Sequence, residues 1–277
     1  MEHAEKHRLE EELRKVNQKL LSAERVQSDF LSNINNEINN PLTSVLGLLK
    51  VATSNPADHE GNADIIKMVY KEVHNLNFQM RNILTAAEIE AGQATPNISR
   101  FNVEEMIREV SRSFLTVEDD NTHPIDYTMP VGLLFTTDRE KLSIVFSNLL
   151  SNALKFNKSG EKVEVKVSCE DGKKLELIVR DFGVGISEED LNSVFDRFMQ
   201  LDSGTRKEFG GHGLGLAVVH SLVSMLNGHF NVDSKAGEGT TFTVTIPVLD
   251  MGQEASVFFD DEEGILFGLD DEEEETF

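Results

Sequence analysis

Apolar residues at helical spacing dominate the first ninety positions, and they fall on single faces. Leu9, Leu13, Val16, Leu20 and Ala23 are separated by 4, 3, 4 and 3 residues, which is a heptad seam. The surrounding Glu, Lys, Arg and Gln suit a solvated amphipathic helix or a parallel coiled coil, and a coiled coil leading into the next element is expected over residues 1–27. The helix continues through Phe30, Ile34 and Ile38 to about residue 52, with Pro41 inside it predicting a kink and not an end. TSNPADHEG at 53–61 reads as a turn. A second helix over about 62–91 places Ile65, Val69, Val73, Leu76, Met80, Ile83 and Leu84 on one face, and Gly92 stops it. Two long helices joined by a short turn form an antiparallel hairpin. One hairpin cannot bury both apolar faces, so residues 28–95 are expected to pair with a second copy as a dimeric four-helix bundle.

The pattern changes near Asn97. Helices are expected at 103–117, 138–157 and 213–227, with a polar stretch after the first of them. Strands are expected at 162–168, 174–180, 229–234 and 240–247. Helices mixed with antiparallel strands indicate an α+β sandwich over residues 97–249. The fold class is therefore α+β: a long helical hairpin followed by a sandwich. Residues 250–277 turn to Asp, Glu, Phe and Gly and read as an acidic disordered tail, or as a docking segment that folds on a basic partner surface.

The net charge of −23 argues against nucleic acid or anionic membrane as a main partner. Residues 251–277 contribute eleven acidic and no basic residues to it. A single cysteine, Cys169, cannot form an internal disulfide and fits a reducing cytosol. No run of 18 apolar residues occurs, and the charged start MEHAEKHRLEEEL is unlike a signal peptide. A cytoplasmic protein, or the cytosolic part of a larger sensor, is expected, without direct membrane contact by this chain.

Chemistry concentrates in ordered motifs within the second half. In NLLSNALKF at 148–156, Asn148 and Asn152 lie four apart on one helix face, and Lys155 is near that face. An Asn side-chain oxygen suits Mg²⁺, a hard cation. DFGVGI at 181–186 offers the Asp181 carboxylate as an acceptor for an adenine amino group, followed by Gly183 and Gly185, which let backbone approach the base. FDRF at 195–198 comes next, with Arg197 reading either as a terminal-phosphate contact or as a surface salt bridge. GGHGLGL at 210–216 is a glycine-rich loop entering a helix, suited to phosphates. GEGTTF at 237–242 opens the final hairpin. Each motif alone is a weak signal; their order is a strong one.

Together they resemble the nucleotide-binding boxes of the histidine-kinase ATPase domain, whose fold is shared with gyrase B, Hsp90 and MutL. DFLSNINNEINNPLT at 29–43 resembles the phosphoacceptor box of sensor histidine kinases. The resemblance covers about residues 28–248. It implies ATP and Mg²⁺ as cofactors, with Asn152 as the metal ligand and Asn148 and Lys155 on the phosphate side. It further implies Asp181 as adenine anchor beside Gly183 and Gly185. Gly211, Gly213, Leu214 and Gly215 would form the phosphate loop, and Thr241 would complete the pocket. Phe156 reads as an adenine wall or as an ordinary core side chain. Residues 199–212 would be a mobile lid, in which His212 departs from the small residue usual there. GILFGLDDEEEE in the tail looks like the start of a receiver domain cut short.

One position breaks the pattern. Glu37, Asn40, Pro41 and Leu42 match the phosphoacceptor box, but Asn36 stands at the histidine position. An imidazole nitrogen has a free lone pair; a carboxamide nitrogen is tied up in resonance and is not a nucleophile. Glu37 would assist an acceptor that is absent. Asn40 occupies the slot that positions water for dephosphorylating a regulator. His59 and His74 are expected to be exposed bystanders. ATPase relatives carry a Glu at position 148, and Asn148 is not basic, so plain ATP hydrolysis is expected to be slow. Three functions remain open: an ATP-binding pseudokinase or phosphatase-type regulator; an ordinary histidine kinase whose acceptor has been replaced by Asn; or a non-catalytic interaction scaffold. A homodimer is implied, with a response regulator receiver domain or a partner histidine kinase as the other partner.

Overall fold

A computed structural model describes residues 38–56, 58–115, 123–158, 160–191 and 214–249. The heptad segment 1–27 and the acidic tail lie outside the described residues.

Helix α1 is helical over residues 38–54, through Pro41, and α2 spans His59–Glu90. The turn between them is tighter than the predicted 53–61, because both flanks of TSNPADHEG are drawn into helix. Ser54 Oγ and Thr53 Oγ1 donate back to the Lys50 carbonyl at 2.7 and 3.0 Å. Asp58 caps α2 by accepting from the Gly61 N–H at 3.0 Å. Ile83, Ala86 and Ile89 near the end of α2 are buried. Leu42, Leu46 and Leu49 on α1, and Val73, Met80 and Leu84 on α2, stay exposed in the single chain.

The rest follows in the order β1 (Ile98–Asn102), α3 (Val103–Leu115), β2 (Ile125–Thr128), β3 (Leu134–Asp138), α4 (Arg139–Phe156), β4 (Val163–Glu170), β5 (Lys174–Arg180), α5 (Gly215–Met225), β6 (His229–Lys235) and β7 (Gly239–Pro247). A five-stranded sheet runs β2-β4-β5-β7-β6, and β1 pairs with β3 in a separate two-stranded sheet. Only β2 and β4 are parallel; the other pairs are antiparallel. Strands β1, β2 and β3 were not expected. They are four or five residues long, and β2 (IDYT) falls inside the stretch read as polar, too short for alternation to register.

Along β4, β5 and β7 every second residue is buried, so the sheet hides one face. Helix α4 lies against that face, between α3 and α5. Its Leu142, Val145, Phe146, Leu149, Leu150 and Ala153 are all fully buried. Burial of each large side chain among these is worth about 1.5–3 kcal/mol. Asp138 starts α4: Oδ1 accepts from the Lys141 N–H at 2.9 Å, and Oδ2 accepts from the Asn97 N–H at 2.7 Å and from Lys141 Nζ at 3.0 Å. One buried carboxylate thus caps α4 and fixes the chain entering β1.

Candidate nucleotide-binding site

The candidate site forms where β5 ends, between the last turn of α4 and the β6–β7 hairpin. Asp181 is 3% exposed. Its Oδ1 accepts from the Gly183 N–H at 2.9 Å and the Thr240 N–H at 3.2 Å; Oδ2 takes neither bond. Burial holds the Asp181 carboxyl above the usual carboxylate range, against the lowering pull of those two N–H groups. This is a desolvated acceptor fixed in place by its own backbone surroundings.

The loop after Asp181 is stapled on both sides. Phe182 N–H donates to Asn157 Oδ1 at 3.0 Å and Val184 N–H to the Phe156 carbonyl at 3.1 Å. Ile186 N–H donates to Ser234 Oγ at 2.8 Å, and Gly237 N–H to the Val184 carbonyl at 2.8 Å. Gly183 and Gly185 also have a packing role within the protein itself. A Cβ on Gly183 would lie 1.9 Å from the Phe156 carbonyl oxygen. One on Gly185 would lie 2.0 Å from the Lys235 carbonyl oxygen, at a φ of +63°. Their missing side chains let the loop pack against the protein's own backbone.

On α4, Asn152, Lys155 and Phe156 are half-buried. Lys155 Nζ stands 5.0 Å from the centre of the Phe156 ring, and burial pushes its ammonium down to about 8. Phe156 is half-buried at the end of α4, beside Lys155. Among the described residues no group of three or more His, Cys, Asp and Glu side chains could hold a metal. A Mg²⁺ ion here could take the Asn152 oxygen as a ligand, with phosphate and water among the others.

Helix α5 starts at Gly215, with Leu214 at the cap position and no side chain closing it. A helix N-terminus presents N–H groups that can bind an anion. Asn148 sits against this end, since a Cβ on Gly215 would meet Asn148 Oδ1 at 2.7 Å. The Asn148 amide is engaged from another direction. It donates to Asn82 Oδ1 on α2 at 2.8 Å and to the Ile144 carbonyl at 2.9 Å, and accepts from Asn82 Nδ2 at 2.9 Å. Asn148 thus faces the hairpin.

Thr241, on β7, is half-buried and pairs with Arg180. The residue that reaches Asp181 is its neighbour Thr240, whose hydroxyl also lies 2.9 Å from Ser234 Oγ. The motif GEGTTF contained both threonines, and only strand register separates them. Asn157 and Asn82 carried no sequence signal. Asn40 lies exposed on α1. His59 is exposed, whereas His74 is half-buried and edge-on to Phe114 at 5.9 Å, correcting its reading as exposed. Asn36, Glu37, Arg197, Gly211, Gly213 and the proposed lid at 199–212 lie outside the described residues.

Two family models match. "His Kinase A (phospho-acceptor) domain" covers residues 26–92, and "Histidine kinase-, DNA gyrase B-, and HSP90-like ATPase" covers residues 137–250. Among curated proteins, the autoinducer 2 sensor kinase/phosphatase LuxQ of Vibrio cholerae is 31% identical over 229 residues, covering 81% of this chain and 26% of LuxQ. The circadian input-output histidine kinase CikA of Synechococcus elongatus is 31% identical, covering 82% of this chain and 30% of CikA. The sensor histidine kinase RcsC of Salmonella typhimurium is 31% identical, covering 87% of this chain and 25% of RcsC. The chain thus spans between a quarter and a third of the length of these relatives. In fold it is similar to the Acinetobacter baumannii histidine kinase AdeS, with a TM-score of 0.55 at 22% identity over 78% of this chain and 98% of that one. Full-length ShkA, in complex with AMPPNP, gives a TM-score of 0.55 at 23% identity over 79% of this chain and 46% of that one. A phosphoacceptor-type hairpin followed by an ATPase-type sandwich, shared with these relatives across most of its length, makes this chain a member of the sensor histidine kinase family.

Proposed function

We propose that the chain binds Mg-ATP and regulates two-component signalling without accepting a phosphoryl group at residue 36. The observation that carries the nucleotide reading is Asp181, a buried carboxylate with one oxygen held by two backbone N–H groups. Adenine would donate its amino proton to Asp181, with Phe156 beside the base. Lys155 and the N-terminus of α5 would meet phosphates, with Asn152 on Mg²⁺ and Arg197, Gly211 and Gly213 completing the loop. Phosphoryl transfer needs a nucleophile in line with the γ-phosphate, and Asn36 supplies none. Asn40 keeps a polar amide four residues on in the sequence, and the LuxQ relatives are named as kinase/phosphatases, which together support a phosphatase-type role on a receiver domain. The hairpin's exposed apolar residues support a homodimer, and the single cysteine supports a cytoplasmic setting. Among the described residues no helix is long and apolar enough to cross a membrane.

The test is incubation with γ-labelled ATP. No acid-labile phosphohistidine is expected on this chain, and Asn36→His is expected to gain one. Restored labelling would also favour the second reading, an ordinary kinase with a replaced acceptor, because the remaining machinery would be competent. Labelling of the unchanged chain at any histidine refutes the proposal. A phosphorylated receiver domain should lose phosphate faster with the chain than without it.

A further inference from the structure

We propose that Asn82 is a positioning residue that links docking of the hairpin to nucleotide binding through Asn148. The inference rests on the nucleotide-binding reading above. Asn82 and Asn148 are 6% and 2% exposed, and each amide both donates to and accepts from the other. The remaining Asn148 N–H goes to the Ile144 carbonyl, so neither Nδ2 hydrogen is left for a phosphate. The Asn148 oxygen lies against Gly215, the first residue of α5. The pair therefore sits where the glycine-rich loop enters its helix, one turn along α4 from Asn152. Around it, Ile83, Thr85, Ala86 and Ile89 of α2 are also buried.

A buried reciprocal amide pair is an all-or-none contact. Losing one partner leaves the other desolvated and unsatisfied, so the two are either paired or both hydrated. In the paired state the Asn148 amide is turned to α2. A nucleotide that recruits this amide must first free it from Asn82, and hairpin docking must in turn weaken nucleotide binding. Linkage makes the two effects equal in size.

The experiment is calorimetric titration of the whole chain with Mg-ATP, beside Asn82→Ala and the nearly isosteric Asn82→Leu, with thermal melts to establish folding. The expected result is tighter binding by about fivefold or more in the variants, the lower range of allosteric couplings. A merely structural role predicts unchanged or weaker binding, and either result in a folded variant overturns the proposal. Failure of the parent and both variants to bind ATP defeats the nucleotide reading, and the linkage with it. Binding without tightening defeats the linkage alone. A variant-free arm measures amide hydrogen exchange in the parent: ATP should speed exchange in the last turns of α2, and unaltered exchange there at saturating ATP overturns the proposal.

Discussion

Asp181→Asn separates what the site does for a ligand from what it does for the fold. The native Oδ1 holds the Gly183 and Thr240 N–H groups. An Asn side chain keeps one oxygen, and that oxygen can go on accepting both. The change falls on the other atom, where an acceptor becomes an NH₂ donor facing the adenine amino group. Replacing a charge-assisted bond by a mismatched pair costs about 1–3 kcal/mol. That corresponds to roughly 5- to 150-fold weaker Mg-ATP binding. Stability moves the other way. Burial raises the folded-state pKa of Asp181 above its unfolded value, so the ionised carboxylate is a net burden on the fold at neutral pH, relieved as pH falls through the folded pKa. The Asn variant never carries that burden. It should melt at or above the parent at pH 7, and the difference should shrink on acidification. Calorimetry and melting curves read both quantities. Unchanged ATP affinity, or a clear drop in melting temperature with the loop bonds lost, would refute the assignment.

Gly183→Ala places a Cβ 1.9 Å from the Phe156 carbonyl oxygen, so a loss of about 1–3 kcal/mol of stability is expected from overpacking. An unaltered melting temperature would show that the loop can move. Lys155 titrates near 8 in the free protein because burial favours the neutral amine, whereas a bound phosphate favours the ammonium. ATP binding should therefore take up protons near that pH, and affinity should fall as pH rises through it; titrations in buffers of different ionisation enthalpy would detect the uptake, and its absence counts against Lys155 as a phosphate contact. Leu46 is 67% exposed and Leu49 and Met80 are each 42% exposed in the single chain, so light scattering should give twice the chain mass at micromolar concentration. A monomer mass would overturn the dimer.

The long helices were legible because their apolar spacing repeats over several turns, and α4 was placed to within a residue or two. Asp181 and Asn152 could be singled out because they belong to motifs with fixed local spacing. The misses share a cause. Strands β1 to β3 are stabilised by long-range pairing, such as Phe101 opposite Phe135, and their own few residues carry almost no periodicity. That the Thr240 N–H, and not that of Thr241, reaches Asp181 depends on the placing of β7 beside β5. Asn82 lies 66 positions from Asn148, and nothing local marks a polar residue on α2 as a buried partner. Contacts set by tertiary approach left no trace in the linear pattern, and these are the ones joining the hairpin to the nucleotide domain.

The sheet ends on two different kinds of border. Strand β2 is only four residues long, while on β6 His229, Asn231, Asp233 and Lys235 are exposed and keep one face of that border strand polar. A strand from another molecule would find little ladder at the first border and a row of hydrated polar side chains at the second. Such borders resist edge-to-edge polymerisation of the sheet. Any pairing of chains would thereby be steered away from the sheet and toward the exposed apolar side chains of the helices, such as Leu46.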